Sequence, residues 1–95
     1  MCNSRISRTV VLANPEGLHL RAATTVRERV KGRAVEVELV KGEMRASAMD
    51  VLQMAALGAA QGEELRLEAS GPEADTVLEE LVRLIASHFD SQKSD

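Results

Sequence analysis

Apolar and polar positions along the chain switch between two periods, and the switches mark the elements. From Arg5 to Ala13 the residues alternate, with Ile6, Val10 and Leu12 on one face, which predicts a first strand. Ala23, Val26 and Val30 then recur at helical spacing, and Gly32 after Lys31 supplies a stop. Residues 34 to 40 return to alternation, with Val35, Val37 and Leu39 inward and Glu36 and Glu38 toward water. Lys41-Gly42 turns the chain into a shorter strand, Glu43 to Ser47, whose Met44 and Ala46 share the apolar face, so a hairpin is expected. A second helix is predicted from Asp50 to Ala56 or Leu57, with Gly58 near its end and Gly62 opening the next turn. The fourth strand, Glu64 to Ala69, turns Leu65, Leu67 and Ala69 inward and wets Glu64, Arg66 and Glu68. Gly71-Pro72 starts a last helix with an apolar stripe of Ala74, Val77, Leu78, Leu81, Leu84 and Ile85.

The order strand, helix, strand, strand, helix, strand, helix implies an α+β fold, a four-stranded sheet covered by helices on one face. Ninety-five residues without a visible repeat or linker fit a single domain over 1–95, with its core at 5–89 and a disordered polar tail from 90 to 95. The interior is aliphatic, because Phe89 is the only aromatic residue. A formal net charge of −3 argues against non-specific nucleic-acid binding, which needs a basic face. Cys2 is the only cysteine, so no disulfide framework is implied. Met1 to Arg8 lacks the apolar core of a signal peptide and no stretch is long and apolar enough to span a bilayer, which reads as a cytoplasmic chain without membrane insertion.

The chemistry concentrates at the start of the first helix. Asn14-Pro15-Glu16-Gly17 is a turn-forming cluster that breaks the first strand and delivers His19 and Arg21 to the opening of the helix. The free backbone N–H groups there favour an anion, and they stand beside an imidazole with a guanidinium two residues on. Histidine is the one common side-chain nucleophile largely unprotonated near neutral pH. Its phosphorylated form is a high-energy phosphoramidate, so a phosphoryl group taken up there can be passed on. The plainer alternative is that His19 caps the helix and Arg21 is solvated.

Gly17-Leu18-His19-x-Arg21-x-Ala23 resembles the active-site motif of HPr, the histidine-containing phosphocarrier of the bacterial phosphoenolpyruvate-dependent sugar phosphotransferase system (PTS), written G-L-H-x-R-P-A. Ala46-Ser47-Ala48 and Leu57-Gly58-Ala59-Ala60-Gln61-Gly62 resemble that family's second helix and its exit, and Leu65 to Gly71 its fourth strand. The likeness runs from residue 6 to 89. It implies an antiparallel open-faced β-sandwich of order βαββαβα and a carrier that is not itself an enzyme. It also implies a phosphoryl group taken on His19 from phosphorylated enzyme I, held with the help of Arg21 and handed to a IIA-type domain. No cofactor or metal is implied, and the carrier is expected to be a monomer. A second function class is an HPr-like regulatory interaction domain, of the regulatory or nitrogen-type PTS branch, that does not serve sugar uptake. A third, a small-ligand-binding regulatory domain, would need a concave polar pocket that the sequence does not locate.

Two departures from the family pattern stand out. Ala22 replaces the proline that usually follows the active-site arginine; it restores an N–H and gives up a fixed φ. Asp50 stands where many Gram-positive relatives carry a serine that a dedicated kinase phosphorylates. It reads either as a helix cap, with Ser47-Ala48-Met49-Asp50 fitting the S-x-x-D capping box, or as a fixed charge in place of a switchable one. Leu20, Met49, Val51 and Leu52 lie at the starts of the first two helices, where apolar surface beyond what the core absorbs would form a partner-binding patch with Arg21 and Asp50. For Val51 and Leu52 the alternative is the core. Arg21, Arg27, Arg29, Lys31 and Arg33 form either a solvated helix face or a docking patch for acidic partners. His88 reads as a polar residue at a helix C-terminus.

Overall fold

Seven elements follow in the predicted order: β1 (Ile6–Val11), α1 (Leu20–Val30), β2 (Glu36–Lys41), β3 (Met44–Ser47), α2 (Val51–Ala56), β4 (Glu64–Ser70) and α3 (Ala74–Ala86). The computed structural model describes residues 5–89, so Cys2 and the expected tail lie outside the described residues. The strands form one sheet in the order β1-β4-β2-β3, with every neighbouring pair antiparallel. Register puts Ile6, Ala69 and Val37 in one row across the sheet, and Arg8, Leu67, Leu39 and Ala46 in another. Both rows lie on the face that the helices cover. There Leu39, Leu65, Leu67, Leu78 and Leu81 are fully buried in a single cluster that also takes in Val26, Met54 and Phe89. This is the α+β sheet covered on one face that the sequence pattern implied, and the antiparallel open-faced sandwich that the resemblance implied. Gly42, with φ +60, takes the first central position of the β2–β3 hairpin, a place where glycine carries no steric cost.

The uncovered face departs from the simple alternation. Glu68, expected in water, is 9% exposed. Its row runs Ser7, Glu68, Glu38, Ser47, which sets two carboxylates directly opposite each other. Like charges so placed repel, and arginines relieve them. The Arg45 guanidinium donates to both Glu38 and Glu68 at 2.8 Å, Arg5 donates to Glu68 at 2.9 Å and Arg66 Nε to its other oxygen at 2.9 Å. These donors, Arg45 first and then Arg66, hold the Glu68 carboxyl below the usual range. Val40, on the same face, is buried with Arg45 and Arg66 as its cross-strand neighbours, whose aliphatic stems suit that position.

Other expectations need correction. Met44 does share the side of Ala46 but is 49% exposed, at the end of the hairpin opposite Lys41. The last helix begins at Ala74, not at Gly71-Pro72. Glu73 precedes it without capping it, since its carboxylate accepts from Ala34 N (2.9 Å) and Arg33 Nε (2.8 Å). The basic cluster is not a free patch. Arg33 also donates to Glu80 at 3.1 and 3.2 Å, Arg29 lies 3.9 Å from Glu80, and Arg27 pairs with Glu28. Two of the five cations are thus committed to α3.

Candidate functional site

The loop from Leu12 to Leu18 is stitched to the segment after α2, and that stitching places His19. Leu12 N donates to Glu63 O and Gly62 N to Leu12 O; Gln61 Nε2 donates to Ala13 O, and Leu18 N to Ala59 O at 3.0 Å. Gly17 lies at φ +66, where an added Cβ would run into the Ala59 carbonyl and come within 2.9 Å of Ala60 Cα, so only glycine fits. Asn14 closes the turn. Its Nδ2 donates to Gly17 O at 2.8 Å while Gly17 N donates to Asn14 O at 3.1 Å, and the side chain is 2% exposed. Sequence reasoning saw Asn14 as a turn former without assigning it this tie. The signal was present, because asparagine before proline commonly bonds its own backbone farther along.

His19 is the N-cap of α1, in extended conformation at φ −85 and ψ −178. Its carbonyl accepts the first helical bond, from Ala23 N at 2.9 Å. Its ring reaches over the helix opening, and Nδ1 accepts from Arg21 N at 3.1 Å and Ala22 N at 3.3 Å. Nδ1 therefore carries a lone pair, which puts the proton of a neutral ring on Nε2. No acidic residue stands in the first turn of α1, and Arg27 and Arg29 stand in the last, so the positive end of the helix dipole is left open for an anion. The Arg21 side chain is exposed and, among the described residues, has no ion-pair partner. Ala22 is buried at 1% exposure, which anchors the helix start to the core.

The second group of residues assembles at α2, which packs against α1. Asp50 caps α2 by accepting from Gln53 N at 3.1 Å. The S-x-x-D capping box does not form. Ser47 lies within β3, and its hydroxyl accepts from Met49 N while its own N–H goes to Gln53 Oε1. The helix starts at Val51, one residue later than expected, since Asp50 is spent as the cap. Leu52 is 72% exposed, Leu20 54% and Met49 43%, whereas Val51 is half-buried against the core. At its other end α2 is closed by Lys41, whose Nζ donates to Leu57 O and Gly58 O and lies 3.4 Å from Glu63. A six-residue helix rises only about 9 Å, so Asp50 and the segment that pins His19 lie a short helix apart. His88 is exposed in the left-handed region just past α3, away from these groups in sequence and without a ligand cluster; among the described residues no set of side chains could hold a metal ion.

Residues 6–87 match the family model described as "PTS HPr component phosphorylation site". The chain belongs to the HPr family. It is 33% identical over 87 residues to the phosphocarrier protein NPr of Shewanella violacea, which covers 92% of this chain and 96% of that protein. It is also 33% identical over 79 residues to the phosphoryl donor subunit DhaM of a PEP-dependent dihydroxyacetone kinase from Providencia stuartii. There 83% of this chain spans only 17% of the longer protein. Among solved structures, HPr-C-His from Thermoanaerobacter tengcongensis superposes with a TM-score of 0.84 at 25% identity, covering 93% of this chain and 99% of that one. This HPr-type chain is thus similar to proteins named as phosphocarriers. No helix among the described residues is long and apolar enough to cross a membrane.

Proposed function

We propose that this chain is a PTS phosphocarrier that takes a phosphoryl group on His19 from phosphorylated enzyme I and hands it to a IIA-type domain. The observation that carries this reading is the position of Nδ1 at the open N-terminus of α1, within reach of the Arg21 and Ala22 amides. The Nδ1 lone pair attacks phosphorus as the bond to the donor breaks, and the donor leaves with that electron pair. The ring keeps its Nε2 proton and takes the positive charge, and on onward transfer the P–N bond pair returns to Nδ1 and restores the neutral ring. Helix amides and the free Arg21 guanidinium face the new dianion, which such donors bind strongly. Leu20, Val51, Leu52, Asp50 and Arg21 form the docking surface in this reading, with Gly17 and Ala22 fixing the turn and the helix start. Incubation with phosphoenolpyruvate and enzyme I should add one phosphoryl group, acid-labile and base-stable, and His19→Ala should abolish it without loss of helical circular dichroism. Labelling of that variant at the wild-type level would overturn the assignment.

The second reading, a carrier of the regulatory, nitrogen-type branch not used for sugar uptake, is favoured by the relative named NPr. Both readings share His19 and part at the acceptor. Transfer from the phosphorylated chain to a nitrogen-type IIA domain and not to a sugar-type one would select the second.

A further inference from the structure

We propose that the backbone N–H of Ala22 moves from the His19 ring to the phosphoryl group when Nδ1 is phosphorylated, and so strengthens this chain's hold on that group. The inference rests on the reading of His19 as acceptor. In the free protein two amides, Arg21 N at 3.1 Å and Ala22 N at 3.3 Å, share the single in-plane lone pair of Nδ1. Neither has a carbonyl partner within the helix, because both belong to its first turn. Formation of the P–N bond consumes that lone pair, and both N–H groups lose their acceptor at once. The phosphoryl group that arrives there brings three acceptor oxygens and between one and two negative charges. Two donors that shared one neutral nitrogen can then each take a charged oxygen. The methyl of Ala22 contributes nothing to this beyond burial, which keeps its amide fixed at the helix opening. What residue 22 supplies to the chemistry is its N–H, and a proline at this place would remove it.

The gain is the difference between a hydrogen bond to a charged acceptor and one to a neutral acceptor, worth about fivefold in an equilibrium constant. Two measurements test it. In the ¹⁵N-labelled protein charged with phosphoramidate, the Ala22 amide proton should move strongly downfield together with that of Arg21. With catalytic enzyme I, a phosphoryl group shared between wild type and Ala22→Pro should settle about fivefold in favour of wild type, read by intact mass. Ala22→Gly, which keeps the N–H, should share it evenly with wild type. A phosphorylated His19 with an unmoved Ala22 amide, or an even division between wild type and a folded Ala22→Pro, would overturn the inference and leave the carrier reading standing. If neither phosphoramidate nor enzyme I modifies His19, the carrier reading falls and the inference falls with it. Should Ala22→Pro fail to fold, the amide shift of the wild-type protein decides alone.

Discussion

Arg21 and His19 stand two residues apart but contribute differently, and substitution separates them. In the proposed carrier reading the imidazole supplies the bond-forming atom, whereas the guanidinium supplies charge to the phosphoryl oxygens. Arg21→Ala should therefore slow phosphoryl transfer by roughly one to two orders of magnitude without abolishing it, the size of a lost hydrogen bond to a charged group. A transfer rate equal to wild type in a stopped-flow or quench assay would reduce Arg21 to a surface cation. Asp50 is the other residue on which a single substitution is informative. As the cap of α2 it is replaceable, since aspartate and serine rank about equally in that position and Asp50→Ser should cost only a few tenths of a kcal/mol. As a fixed charge near the exposed Leu52 it would weakly oppose an acidic partner, so Asp50→Ser should speed acceptance from enzyme I modestly, more at low salt than at high. An unchanged rate across salt concentrations would leave it a cap alone.

At the scale of elements, α1 depends on a loop that it does not touch through its own hydrogen bonds. Gly17 lets Leu18 N reach Ala59 O, and a methyl at residue 17 would push the two segments apart just before the helix opens. Gly17→Ala should cost at least about 1–2 kcal/mol in urea unfolding, from the left-handed backbone alone. It should also slow acceptance at His19. A variant with wild-type stability and rate would show that the loop relaxes freely. Most elements were legible because each obeys one period: the α3 stripe from Ala74 to Ile85 and the β4 alternation of Leu65, Leu67 and Ala69 needed no tertiary information. The fate of the charges on them was not legible. Arg33 meets Glu73 and Glu80, forty and forty-seven residues away, and Glu68 is buried because strands β1 and β2, distant in sequence, flank it. In the candidate site, the motif marked His19 and Arg21. That Nδ1 and not Nε2 meets the helix amides, and that the Ala22 amide is one of them, needed the cap geometry.

For the molecule as a whole, carboxylates held by arginines and a backbone amide make stability depend on acid. Glu68, held low by Arg45 and Arg66, and Glu73, held low by the Ala34 amide and Arg33, both have folded-state pKa values below their unfolded ones. Their contribution is complete above the unfolded carboxylate value, about 4.3, and is lost as the pH falls through the folded value. Urea midpoints should hold steady from pH 7 to 5 and drop below that range. Glu68→Gln should be less stable at pH 7 and show a shallower drop, and an equally steep one would assign the acid sensitivity elsewhere. The strand order carries a consequence of another kind. Of the described strands, β4 is the last to leave the ribosome, yet it is the one that joins β1 to the β2–β3 hairpin. Until residue 70 has emerged, the nascent chain holds a hairpin and an unattached first strand, while residues 59–63, to which the loop before His19 is stitched, leave just ahead of β4. The stitches of the histidine loop and the closing of the sheet thus both wait for residues 59–70, so a chain cut before residue 59 exposes its histidine without the contacts that place it.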